Sequence, residues 1–192
     1  MRADVEVRHF RARRCAVVLL ALFCAGCQLF GGNPAQENRD RLYARLEEYS
    51  RIPPREQLTD QPYIRGRALI ISKKQVPLIT LIEDPAAWGA DNAEGLMAEA
   101  PEQVETVVVL NYSREKSGTY QIVGAKGGVE AYREICELIL IDPSIPAVIH
   151  RKTFRASDPP SAKSIDIGRQ ATVVTSVDLT TVRKYITDLP RR

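Results

Sequence analysis

The sequence has little of what most protein chemistry uses. Its 192 residues include two histidines, four cysteines, one tryptophan and two methionines. His9 lies close to the start, so His150 is the one histidine of the remaining chain. One histidine and few thiols exclude a His/Cys-rich zinc site, and no cofactor is expected. Long apolar runs are absent too. The longest, Cys15 to Gly26, has 12 residues, and as a helix it would reach about 18 Å against a bilayer core of about 30 Å. A retained membrane-spanning helix is therefore disfavoured.

Charge bias is missing once the leader is set aside. The full chain carries a formal charge of +3, but residues 1–26 hold five arginines against Asp4 and Glu6. The remainder has 27 − 5 = 22 basic and 24 − 2 = 22 acidic residues, a net charge of zero. A neutral domain lacks the basic footprint of a nucleic-acid binder, so that class of partner is excluded. There is no Gly-x-Ser-x-Gly, His-Glu-x-x-His, EF-hand or phosphate-loop pattern. Gly124-Ala125-Lys126-Gly127-Gly128 lacks the spacing and the Lys-Ser/Thr end of a phosphate loop.

What is present begins with the leader. Arg2, Arg8, Arg11, Arg13 and Arg14 precede the short apolar run, which ends in small residues. This is the pattern of a secretory signal. Arg13-Arg14 also matches the paired arginines of a twin-arginine signal. The segment Cys24-Ala25-Gly26-Cys27 resembles the lipobox of bacterial lipoproteins. The resemblance implies cleavage after Gly26, with Ala25 and Gly26 as the small flank, and acylation of the Cys27 thiol. It departs from the family at Cys24, where leucine is usual. It covers 27 of 192 residues and implies nothing about the following fold. Two or more acyl chains give stable anchoring, each buried methylene contributing about 0.8 kcal/mol. Gln28 rather than Asp follows the cysteine, which by the same resemblance implies the outer membrane, facing the periplasm, in a Gram-negative cell. The competing expectation is plain secretion with Cys27 as a free thiol.

Residues 27–38 then read as a lipidated tether, polar and centred on Gly31-Gly32-Asn33-Pro34. Residues 39–192 read as a single globular domain of α+β class, with a mainly antiparallel sheet of five to six strands, an N-terminal helix and a C-terminal helix. The part after Gly26 is 192 − 26 = 166 residues, enough to bury about 70% of its unfolded surface. Cys136 is its one cysteine besides Cys27, so no internal disulfide is available and stability must come from the core.

Leu42, Leu46 and Tyr49 recur at helical spacing, predicting a helix over 39–50 stopped by Arg51-Ile52-Pro53-Pro54. Gly66 to Ser72 and Val76 to Ile82 predict two strands joined through Lys73-Lys74-Gln75 as a hairpin. Arg65, Arg67, Lys73 and Lys74 form a basic group in sequence, either the solvated edge of a sheet or a contact for anionic headgroups. A short helix is expected over 93–100. Val104 to Asn111 predicts a strand, Tyr112 to Gly118 a turn, and Thr119 to Gly124 a further strand. Val129 to Asp142 predicts a long strand, apolar on both faces in its second half and therefore central. Ala147 to Phe154 and Ala171 to Val174 predict strands, and Thr175-Ser176-Val177-Asp178 a capping box opening a last helix to about Leu189.

Two groups of residues invite chemistry. Ser113-Arg114-Glu115-Lys116 and Lys116-Ser117-Gly118 match two elements of penicillin-recognising enzymes. One lysine cannot serve both elements, which in that family lie far apart, so the match is set aside. Trp88 with Asp84 and Asp91, beside Glu83, could line a sugar pocket; alternatively Trp88 pins a long loop to the core. Cys136 reads as a small buried hydrophobe, and His150 as a packing residue with one hydrogen bond. No catalytic residue is assigned. The expected function is a lipid-anchored extracytoplasmic binding or envelope-assembly module, with the membrane and an envelope protein as partners. The alternatives are a small envelope hydrolase acting on glycan or peptide, and a carrier of an apolar ligand.

Overall fold

A computed structural model describes residues 33–75, 77–89, 95–121, 128–159 and 172–192. The leader, Ala25, Gly26 and Cys27, as well as Asp91, Lys126 and Gly127, lie outside the described residues. The chain divides into two compact units, Met1–Glu37 and Asn38–Arg192. In the first, Asn33 accepts the Ala35 N–H on its side-chain oxygen at 3.1 Å. An asparagine cap followed by Pro34, whose missing N–H costs nothing at this position, starts a helix. Helix α1 is Pro34–Ala44, so it begins five residues before the predicted start at 39 and takes in the end of the expected tether. It breaks at Arg45 and resumes as α2, Leu46–Ser50. Two helical segments thus stand where one was expected. The stop at Arg51, in extended conformation ahead of Pro53-Pro54, is as predicted.

Six strands form one mixed sheet: β1 Arg67–Gln75, β2 Leu78–Ile82, β3 Val104–Gln121, β4 Gly128–Asp142, β5 Ala147–Arg155 and β6 Thr172–Thr175. The order is β2-β1-β3-β4-β5, with β6 also on β4. The fold class is α+β. The pairings β1/β2, β3/β4 and β4/β5 are antiparallel, but β1/β3 and β4/β6 are parallel. β5 lies along Ile135–Asp142 and β6 along Glu130–Arg133, so both continue one row on the same edge of β4.

Alternation along the central strands sends side chains to both faces, and both faces are covered. On one face Ile70, Val108, Leu110, Cys136, Leu138 and Leu140 pack with Val182, Ile186 and Leu189. The last three sit on or just after helix α3, Leu179–Thr187. On the other face Leu69, Ile71, Val107, Val109, Ile139 and Ile141 pack with Leu42, Leu46 and Tyr49. The second half of β4 is apolar on both faces as predicted, and Leu42, Leu46 and Tyr49 share the face that packs on the sheet. Helix α3 starts differently from prediction: Asp178 is itself the cap, accepting the Thr180 N–H at 2.9 Å.

Three further predictions are corrected. Tyr112 to Gly118 does not turn the chain; it is the middle of the 18-residue β3. Glu115 pairs with Arg133 and Lys116 with Glu130 across the β3/β4 ladder. Such cross-strand charge pairs keep a polar stretch extended. Lys73, Lys74 and Gln75 belong to β1, not to a link, and the hairpin turns beyond Gln75. Residues 95–100 are not helical: Met97 bridges Ala68, and the following 3-10 turn is Pro101–Gln103.

Candidate functional site

The sequence candidates come first. Asp84 and Trp88 lie on either end of a 3-10 turn, Pro85–Trp88. Asp84 caps that turn by accepting the Ala86 N–H at 3.0 Å. The Trp88 ring is buried in the α3-side core, 3% exposed, and its indole N–H donates to Glu83 at 3.4 Å. The Arg183 guanidinium lies 5.5 Å from the ring centroid. Glu83 also accepts from the Ser72 hydroxyl. An indole face this deep pins its loop to the core and offers no platform for a sugar. Asp91 lies outside the described residues.

Ser113 and Lys116, three positions apart on β3, fall on opposite faces of the strand. The four basic residues also separate. Arg65 bridges Asp142 and Glu105 at one end of β1, whereas Lys73 reaches the Ser50 carbonyl and Lys74 lies over Tyr112 at the other. Cys136 is fully buried, and its thiol pKa is pushed up to about 12 by desolvation. His150 Nε2 stands 2.7 Å from the Tyr185 hydroxyl, and burial lowers the imidazole's pKa. Among the described residues no group of three or more His, Cys, Asp or Glu could hold a metal ion, and no helix is long and apolar enough to cross a membrane.

The concave feature that sequence reasoning missed lies on the α1–α2 side of the sheet. Helix α2 is five residues long, so the helical cover stops short of the end where β3 begins and β4 finishes. There Val104, Val107 and Ile141 floor an open groove of about 680 Å³. Tyr49 and five prolines, Pro53, Pro54, Pro101, Pro143 and Pro146, form its walls. Proline fixes φ and lacks an N–H, so these walls are stiff and offer carbon rather than donors.

Four charged residues, Arg45, Glu48, Arg51 and Arg55, complete its lining. Arg45 donates to both Glu48 oxygens at 3.0 and 2.9 Å and lies 4.8 Å from the Tyr49 ring centroid. The hydrogen bonds to Arg45 hold the Glu48 carboxyl below the usual range. The sequence signal lies in the prolines, of which Pro53 and Pro54 are read only as a helix stop. Their convergence depends on which strand ends meet.

No family model matches the chain, and no curated protein matches it. A solved structure from Xanthomonas campestris, described under the family model DUF330, aligns with 13% identity and a TM-score of 0.29, covering 70% of this chain and 88% of that one.

Proposed function

We propose that this chain is a lipid-anchored extracytoplasmic protein acting as a non-enzymatic binding module, with the proline-walled groove as its binding surface. The observation that carries the binding reading is the composition of the groove's lining. Aliphatic, prolyl and tyrosyl carbon make up most of its lining, and Arg45, Glu48, Arg51 and Arg55 are its charged members. A surface of this kind gains by covering apolar area and orienting its partner through a few charges. The anchor rests on the Arg-rich leader and Cys24-Ala25-Gly26-Cys27. On this reading the acylated protein sits on the outer membrane of a Gram-negative cell, facing the periplasm, and presents the groove to an envelope protein.

The test compares wild type with Cys27→Ala in a Gram-negative host, by membrane partition and intact mass. Wild type is expected in the membrane with a lipid-sized mass increment, and the variant without it. Equal solubility and the same cut in both would remove the anchor. For the groove, a photo-cross-linker placed at Arg51 should capture one envelope partner, and Val104→Glu should abolish the capture. Capture that survives Val104→Glu would move binding elsewhere. A second reading, carriage of an apolar ligand, is favoured by the size of the groove, since ligand pockets span about 300–1,000 Å³. An apolar molecule co-purifying with wild type and absent from Val104→Glu would select it.

A further inference from the structure

Three backbone segments meet where β1 enters the sheet. Ile64 bridges Arg191, and the Gly66 N–H donates to the Arg192 carbonyl at 3.1 Å. Two residues further along, the Ala68 N–H donates to the Leu96 carbonyl at 2.7 Å. Here lies an open recess of about 450 Å³, lined by Gly66, Arg67, Gly95, Arg191 and Arg192. Every side chain of that lining is an arginine. Gly95 has φ +69°, and a Cβ built on it would meet nothing within 4 Å, so bare backbone faces open space at this point. Arg67 is partly engaged, donating to the Gln103 side-chain oxygen at 3.3 Å with Glu99 at 3.7 Å. No ion pair among the described residues involves Arg191 or Arg192. The Arg192 guanidinium lies 4.2 Å from the Tyr63 ring centroid, a cation–π contact that limits its freedom. Desolvation holds the Arg191 pKa below the ordinary guanidinium value, and no carboxylate offsets that cost.

We propose that this recess is an oxyanion site that takes a phosphate monoester group, with Arg67, Arg191 and Arg192 supplying the guanidinium donors. A single exposed arginine holds an anion weakly, and convergence of several is what makes a site. A carboxylate has one charge and two oxygens, which the fork of one guanidinium already matches. Two guanidiniums without counter-ions and a third shared with Glu99 exceed that need. A phosphate monoester carries a charge of about −1.5 to −2 and three acceptor oxygens, and it fits the donor set. The recess falls within the span of small-molecule sites, about 300–1,000 Å³, so room remains for the body to which the phosphate is attached. That body is either a soluble molecule or a lipid; the chemistry read by the arginines is the same. The recess shares no lining residue with the proline-walled groove, so the proposal stands independently of the proposed function.

The experiment titrates the purified full chain in mild detergent by calorimetry. The probes are glycerol 3-phosphate and detergent-dispersed phosphatidic acid, with glycerol, succinate and phosphatidylcholine as controls. At least one phosphate monoester should bind saturably, and the controls should not. Binding of glycerol 3-phosphate assigns the site to a soluble ligand, and binding of phosphatidic acid alone assigns it to a lipid. Arg191→Gln/Arg192→Gln should weaken the binding at least tenfold, and Arg67→Gln should weaken it too. Arg114→Gln/Arg155→Gln removes the same charge from strand positions away from the start of β1 and should leave the affinity unchanged. The hydrogen bonds of residues 190–192 to Ile64 and Gly66 are made by backbone groups, so the circular dichroism melt should hold in each variant. Should the double variant melt early, Arg191→Lys keeps the charge but loses the fork, and it should bind more weakly at an unchanged melt. No saturable binding of either phosphate monoester, equal affinity for succinate, equal weakening in the two double variants, or full affinity in Arg191→Lys would each overturn the proposal.

Discussion

Leu138 and Ile139 are neighbours on β4, both fully buried, and they point to opposite faces of the sheet. If helices cover both faces, truncating either residue should be equally severe. Leu138→Ala and Ile139→Ala each remove three carbons. At about 0.8 kcal/mol per methylene the transfer loss is about 2.4 kcal/mol. The unfilled cavity raises the total towards the range of about 2–5 kcal/mol seen for such truncations. Leu78→Ala at the exposed edge should stay within about 0.5 kcal/mol. Urea unfolding of the full chain reads this directly. With a slope of about 2 kcal/mol per molar, each core variant should lower the midpoint by about 1 M or more at unchanged slope. If Ile139→Ala behaves like Leu78→Ala while Leu138→Ala is severe, the α1–α2 layer does not cover the sheet, and the two-faced core is refuted.

Other predictions follow from single sites. Gly66 has φ +49°, and an added Cβ would collide with the Glu105 carboxylate, so Gly66→Ala should destabilise by more than about 1 kcal/mol; pairing it with Glu105→Ala should recover only the steric part, and full recovery by melting temperature would disprove the backbone argument. His150 is held neutral by burial and by Lys152, its pKa below the ordinary imidazole value of about 6.5. The unfolded chain therefore takes up a proton first, and stability should fall as pH drops below about 6.5; His150→Gln should flatten that slope, and an unchanged slope would assign it to other groups. The buried thiol of Cys136, with its pKa near 12, should resist iodoacetamide in the folded protein and react on unfolding in urea; fast labelling of the native state would contradict its burial.

How much of this was legible in the sequence depends on whether one face of an element is wet. Helices α1–α2 and α3 and strand β4 were readable because Leu42, Leu46, Val182, Ile186 and the alternating residues of Ile135–Ile141 sort cleanly by face. The middle of β3 was not. Beyond Tyr112 the β3–β4 ladder runs past the end of β1, and Arg114 to Thr119 are exposed. With water on both sides, nothing enforces an apolar alternation. Gly118 was read as closing a turn; it marks a register shift against β4, the other meaning of a glycine inside a strand.

The parallel β1/β3 pair was hidden for another reason. Parallel neighbours need a crossover, usually helical, and the connection from Glu83 to Gln103 contains only 3-10 turns among its described residues. The groove was hidden because Pro53, Pro101 and Pro143 meet only after strand order is fixed.

Ile64, at the entrance to β1, bridges Arg191, with the Arg192 N–H donating to the Ile64 carbonyl at 3.0 Å and the Ile64 N–H to that of Pro190 at 2.9 Å. This contact spans 191 − 64 = 127 residues, whereas the β1/β2 turn joins Gln75 to Leu78. Each doubling of a loop costs only about 0.6 kcal/mol to close, so the penalty falls on rate more than on stability. A ribosome-bound chain can zip its hairpins early. It cannot seat the start of β1 until residues 190–192 have emerged. Until then the chain stays open enough to be threaded, cut or chaperoned.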